Sequence, residues 1–144
     1  DKFIGDAIML VFGAPFSYGN DSERAVRTAV EMQSTLEELR EKWKISGKNQ
    51  LEIGIGINTG DVIAGNIGSS QQMQYTVIGD NVNIASRLES VTKDYKAAII
   101  ISQSVYDEVK EIVEVKPLGG VLVKGKTEPV QIYSVLGLKP ASPA

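Results

Sequence analysis

The 144-residue chain contains no histidine and no cysteine. The first absence removes the commonest general base, the Ser-His-Asp arrangement and the usual zinc ligands. The second excludes disulfides and thiol chemistry, and permits a reducing compartment such as the cytosol. Positive charge is also short, with 15 Lys and Arg against 18 Asp and Glu for a net charge of −3. Non-specific nucleic-acid binding wants a basic face and is disfavoured. No apolar run reaches membrane-spanning length. Any catalysis must therefore rest on carboxylates, Lys, Arg, amides and hydroxyls. Oxygen ligands of that kind favour hard cations such as Mg²⁺, Mn²⁺ or Ca²⁺. A hydrophobic fraction of 42% over this length fits one domain with a real core.

The stretch Tyr75 to Glu89, YTVIGDNVNIASRLE, organises what is present. Tyr75, Thr76, Val77 and Ile78 suit a strand, Gly79-Asp80 breaks it, and a helix follows, with Asp80 or Asn81 as its expected cap. Val82, Ala85 and Leu88 are expected to face a core. Asn83 and Arg87 lie one helical turn apart on a neighbouring stripe. An amide and a guanidinium on one face suit a phosphate-rich ligand, against the plainer reading of a solvated stripe.

Around that stretch the patterning alternates between strands and helices. Ile8 to Phe12 reads as a buried strand ending at Gly13, with Gly5-Asp6 as a hairpin turn before it. An aspartate in a turn is most often structural. Asn20 and Glu23 could form a capping box for a long helix whose core stripe is Ala25, Ala29, Met32, Leu36, Leu39 and Trp43. Leu51 to Asn58 reads as a strand and Val62 to Ile67 as its hairpin return. Ser69 to Gln72 is read as a loop. Gly54, Gly56 and Gly60 lack dinucleotide-fingerprint spacing and are read as positions of close packing and tight turns. Ala97 to Ile101 is a buried strand, and Ser102 caps a helix bearing Val105, Val109 and Ile112. Val113 to Pro117, Gly119 to Lys124 and Val130 to Leu136 are strands, and Leu138 to Ala144 is a flexible tail. Gly120 to Thr127 matches the P-loop letter for letter. Strand-like residues between its glycines, and Glu128-Pro129 after it, argue against that identity.

Taken together, Lys2-Phe-Ile-Gly-Asp6, a strand ending in FG, a long amphipathic helix, GIGINTGDVIAGNIG, the stretch from Tyr75 to Arg87 and VKGK at Val123 to Lys126 resemble the catalytic domain of class III nucleotidyl cyclases. The resemblance covers nearly the whole chain, with 1–137 as the domain. It implies roles residue by residue. Asp6 matches the second of two aspartates that hold a pair of Mg²⁺ or Mn²⁺ ions. Lys2 and Thr76 match the positions that contact the purine, with Ile78 counted beside them as substrate-binding. Asn83 matches the residue that positions the ribose, Arg87 the one that stabilises the α-phosphate, and Lys124 the lysine that grips the terminal phosphates. The implied partners are ATP and a second copy in a head-to-tail homodimer, with sensor domains upstream and a cytoplasmic location.

Substrate choice follows from the purine pair. Lys2 is a donor and suits the N1 acceptor of adenine, whereas guanine presents N1–H there. The Thr76 hydroxyl can accept from adenine's exocyclic amine. ATP is expected over GTP. A Lys/Thr pair also resembles the cyanobacterial-type and soluble cyclases that respond to bicarbonate, so such a response is expected. The family's first metal aspartate lies upstream of Lys2 in a segment not matched here. A domain truncated at its N-terminus, inactive by itself, is therefore expected.

The expected fold is α/β: a ferredoxin-like palm sandwich with a mostly antiparallel sheet and helices on one face. The alternatives are a non-catalytic cyclase-homology module for dimerisation or nucleotide binding, a guanylate cyclase, or another palm-fold nucleotidyl transferase such as a diguanylate cyclase. The acidic GG-type turn of that last group is not visible.

Overall fold

The computed structural model describes residues 2–4, 7–13, 17–47, 52–69 and 72–140, and the side chains of these except 2–4, 66–69 and 72–76. In chain order the elements are β1 (Lys2–Ile4), β2 (Ala7–Met9), α1 (Asp21–Ile45), β3 (Ile55–Ile57), β4 (Ile63–Ser69) and β5 (Gln72–Ile78). They continue with α2 (Asp80–Tyr95), β6 (Ile99–Ser102), α3 (Gln103–Val109), β7 (Val113–Val121) and β8 (Val130–Leu138). A four-stranded sheet runs in the order β3-β6-β8-β7. Its β3–β6 pair is parallel and the other two pairs are antiparallel. β1–β2 and β4–β5 are separate antiparallel pairs.

The core is arranged around β6, whose four residues are all buried. Successive side chains of a strand point to opposite faces. Ile99 and Ile101 accordingly pack with Val26 and Ala29 of α1 and Val105 and Val109 of α3. Ile100 packs instead with Ile84, Leu88 and Val91 of α2. Helices thus cover both faces of the sheet, where one face was expected. An unbroken Ile-Ile-Ile run is what a strand covered on both sides requires.

The hairpin expected between Leu51–Asn58 and Val62–Ile67 does not form. The strand shrinks to β3, which pairs in parallel with β6, and β4 pairs with β5 through Ile63↔Ile78. Parallel neighbours need a crossover, and the β4–β5 pair with α2 supplies it. Gly56 shows why α2 can lie so close: a Cβ there would sit 2.3 Å from the Glu89 amide nitrogen and 2.6 Å from the Ala85 carbonyl oxygen.

Ile8 to Phe12 is not a buried strand. β2 ends at Met9, and Ile8 and Leu10 are 59% and 50% exposed. Among the described residues β2 pairs only with β1, outside the main sheet, so no second layer covers it. Gly5 and Asp6, expected as a hairpin turn, lie outside the described residues; β1 and β2 pair antiparallel, Lys2 opposite Met9.

On α1 the buried residues are Ser22, Val26, Ala29 and Leu36. Met32 and Leu39 of the expected stripe are instead over a third exposed, and with Leu36 and Ile53 they line an open groove where the helix outruns the sheet. On α2 the buried positions are Ile84, Leu88, Val91 and Thr92, while Val82 and Ala85 are only half-buried.

The caps differ too. Asn20 has φ −124° and ψ 38°, away from the extended geometry that aims a capping side chain, and makes no cap bond. Glu23 pairs with Arg27 at 3.5 Å instead. Ser102 does cap α3, accepting from the Val105 amide at 3.4 Å. β7 is one strand where two were expected, with register shifts at Glu114/Val115 and Pro117/Gly119 absorbing Pro117. Gly120 lies inside β7 and Gly125 in a turn at φ +88°, with no helix after them. The P-loop reading fails on that context. Leu138 closes β8 partly buried against the first cluster, and the Lys139 amide donates to the Ile112 carbonyl at 2.7 Å.

Candidate active-site helix and its supports

The chain enters α2 through Gly79, at φ 136° and ψ 177°. That conformation is essentially open to glycine alone. Neither Asp80 nor Asn81 caps the helix: Gly79 occupies the cap position and no side chain bonds there. The break expected at Gly79-Asp80 is therefore a backbone device, turning the end of β5 directly into the helix.

Because Ile84, Leu88 and Val91 are held against the sheet, the stripe bearing Asn83 and Arg87 faces outward, and both residues are exposed. The Arg87 Nε–H donates to the Leu122 carbonyl at 3.2 Å. Leu122 directly follows β7, and Val123 beside it is 5% exposed, buried against Ile84 and Leu88. The next residue is Lys124, exposed at a turn closed by the Lys126 amide on the Val123 carbonyl at 3.0 Å. Arg87 is thus bonded to the segment that carries Lys124, and an exposed guanidinium and amide lie one turn apart on α2. Such a surface suits a polyanion.

The remaining expected site residues divide by position. Ile78 ends β5, 46% exposed, opposite Ile63. Lys2 and Thr76 fall in β1 and β5, Thr76 opposite Gly65, but their side chains lie outside the described set. Asp6 lies outside it altogether. Among the described residues no group of three carboxylates could hold a metal ion.

Sequence reasoning missed a polar cluster behind the helix entry. The Asn58 side chain, just past β3, donates to the Asn81 carbonyl at 3.0 Å and to Asn81 Oδ1 at 3.1 Å. Its own Oδ1 accepts from Ser102 Oγ at 2.7 Å and Ser104 Oγ at 3.2 Å. Asn81 Nδ2 donates on to the Asp61 carbonyl at 2.8 Å. Gly60, at φ 150°, leaves room for this, since a Cβ there would sit 2.4 Å from Asn81 Nδ2. The one available signal was an asparagine at a strand end, a position that sets a loop.

The chain matches the family described as "Adenylate and Guanylate cyclase catalytic domain" over residues 2–137. It is 34% identical over 137 residues to "Adenylate cyclase 1" of Rhizobium meliloti (strain 1021), covering 95% of this chain and 21% of that protein. The chain therefore spans about a fifth of that relative's length. Among solved structures, the adenylyl cyclase CyaB from P. aeruginosa superposes with a TM-score of 0.86 at 40% identity, over 94% of this chain and 70% of that one. The guanylyl cyclase Cya2 gives 0.85 at 41% identity, over 96% and 70%. An exposed Asn83–Arg87 stripe joined to the Lys124 turn, on a sheet of this topology, agrees with the match: the chain belongs to the adenylate and guanylate cyclase catalytic domain family.

Proposed function

We propose that the chain is the catalytic domain of an adenylate cyclase, converting ATP to 3′,5′-cyclic AMP and pyrophosphate. The 3′-hydroxyl attacks the α-phosphorus and the bond to the leaving pyrophosphate breaks. Such chemistry depends on positioning and on stabilising charge that develops in transit. The observation that carries the reading is the outward stripe of α2, with Arg87 tied to the segment of Lys124. Asn83 holds the ribose, Arg87 faces the α-phosphate, and Lys124 takes the terminal phosphates. Lys2 and Thr76 read the base, with Ile78 beside them.

Asp6 would supply one hard oxygen ligand for Mg²⁺ or Mn²⁺, and such an ion, when bound, would stabilise charge on the reacting phosphate. One carboxylate does not make a two-ion site, so the steps above are those of Asn83, Arg87 and Lys124 alone. The groups divide between two copies in a head-to-tail homodimer, Asp6 from one and Arg87 from the other, in the cytoplasm. Stimulation by bicarbonate belongs to the same reading through the Lys2/Thr76 pair.

The two solved structures differ in purine, one adenylyl and one guanylyl cyclase at near-equal identity. A guanylate cyclase is accordingly the second reading, and Lys2 and Thr76 favour ATP over it. The test is cyclic nucleotide formation from ATP and from GTP with Mg²⁺ or Mn²⁺, on protein carrying any residues encoded upstream of Asp1. Cyclic AMP from ATP supports the reading. No product from either nucleotide, with a dimer confirmed, overturns it and leaves a non-catalytic module.

A further inference from the structure

We infer that Asn58 is a positioning residue for the Asn83–Arg87 stripe, acting through Asn81. Its kinetic side rests on the cyclase reading; its structural side does not. Asn58 touches three elements at once. Its amide nitrogen donates to the carbonyl and Oδ1 of Asn81, the second residue of α2, and its Oδ1 accepts from Ser102. The one hydroxyl proton of Ser104 is shared between Asn58 Oδ1 and the Thr59 carbonyl, both at 3.2 Å. Ser102 in turn caps α3 and ends β6, so the cluster is anchored in the buried sheet. Asn81 extends the link to the Asp61 carbonyl, beyond the glycine that makes space for it.

The consequence lies in how α2 begins. Its cap is a glycine with no side-chain bond, so the cap holds the first turn only through the Gly79 carbonyl, which accepts from the Val82 and Asn83 amides at 3.1 and 3.2 Å. Asn58 adds a side-chain fixation from outside the helix, bonding both the carbonyl and the side chain of Asn81 two residues before Asn83. Neither Asn58 nor Asn81 needs to touch substrate for this. A displacement of about an ångström in a positioned group can cost on the order of 100-fold in rate.

The chemistry of the amide provides a selective variant. Asn58→Asp keeps size and shape and keeps the acceptor toward Ser102 and Ser104. It replaces the donor that faces Asn81 with an oxygen, setting acceptors against two acceptors. Only the α2 side of the link is broken. Asn81→Ala removes the side-chain half of the link and the bond to the Asp61 carbonyl, and leaves the Asn81 main-chain carbonyl in place.

Both variants and their combination are measured by steady-state kinetics, thermal melting and ¹⁵N NMR of the Asn83 amide and the Arg87 Nε–H. The expected result for either single variant is a kcat lower by roughly 10- to 100-fold with KM within about threefold, and displaced Asn83 and Arg87 resonances. The double variant is expected to lose clearly less than the product of the two single losses, since both remove the Asn58–Asn81 side-chain bond. Losses that multiply, a kcat per folded molecule unchanged, or Asn83 and Arg87 resonances unmoved would each overturn the assignment. If Asn58→Asp does not fold, Asn81→Ala carries the same readouts. Should the wild-type protein form no cyclic nucleotide, the cyclase reading fails and the NMR comparison still decides the role of Asn58.

Discussion

Arg87 on α2 and Leu122 at the end of β7 are joined by one hydrogen bond of 3.2 Å, from Nε–H to a main-chain carbonyl. This leaves the two terminal nitrogens of the guanidinium for another partner. Arg87→Ala removes a permanently charged fork, and its expected effect is a kcat lower by about 10²- to 10³-fold. Because Arg87 is exposed, the melting temperature is expected to move little. Arg87→Lys keeps the charge without the fork and is expected to restore only part of the rate. A rate for Arg87→Ala near that of wild type would remove Arg87 from the site.

Purine preference is assigned to Lys2 and Thr76, on strands β1 and β5. Lys2→Glu exchanges a donor for an acceptor, which suits the N1–H of guanine. The expected outcome is a fall in the ratio of ATP to GTP turnover, measured as kcat/KM for each nucleotide. A variant that still strongly prefers ATP contradicts the assignment.

Gly56 tests the packing that carries α2. In Gly56→Ala the new methyl group meets main-chain atoms of Ala85, Leu88 and Glu89 at 2.3–2.8 Å, which no side-chain rotation relieves. The expected cost is about 1–3 kcal/mol or more in urea unfolding, with activity falling as the helix is displaced. Gly65→Ala, with nothing within 4 Å of its Cβ, is the matched control and is expected to be mild.

At the start of α1, a hydrogen bond from Ser17 and then one from Arg24 hold the Asp21 carboxyl below its ordinary value of 3.8. A depressed folded-state value means stability that is present above the unfolded value and lost as pH falls through the folded one. Asp21→Asn is therefore expected to be less stable than wild type at pH 7. The difference is expected to shrink as acid protonates the wild-type carboxylate, read from urea midpoints at pH 7 and roughly pH 3. A constant difference across that range contradicts the account of Asp21.

Much of this arrangement was legible in the sequence, for reasons that differ by element. The Ile99-Ile-Ile run, the Ser102 cap and the strand–glycine–helix course from Tyr75 to Glu89 carry their signals locally, and the structure has them. The outward placement of Asn83 and Arg87 also followed from helical periodicity. Pairing was not legible: β4 joins β5, while β3 waits for β6 across a crossover, and no local residue states that choice. Nor was the second helical layer, which appears only because Gly56 admits α2 against the sheet. Asn58 escaped notice because its partners, Asn81 and Ser102, lie in elements distant in sequence.

The most direct measurement mixes two variants, Asp6→Ala and Arg87→Ala, each expected to be nearly inactive alone. If Asp6 of one copy serves the Arg87 of the other, a mixed dimer holds one site with both defects and one intact site. Random exchange of subunits then restores about a quarter of the wild-type rate of cyclic AMP formation. No recovery, with mixed dimers confirmed, would contradict a site shared between two copies.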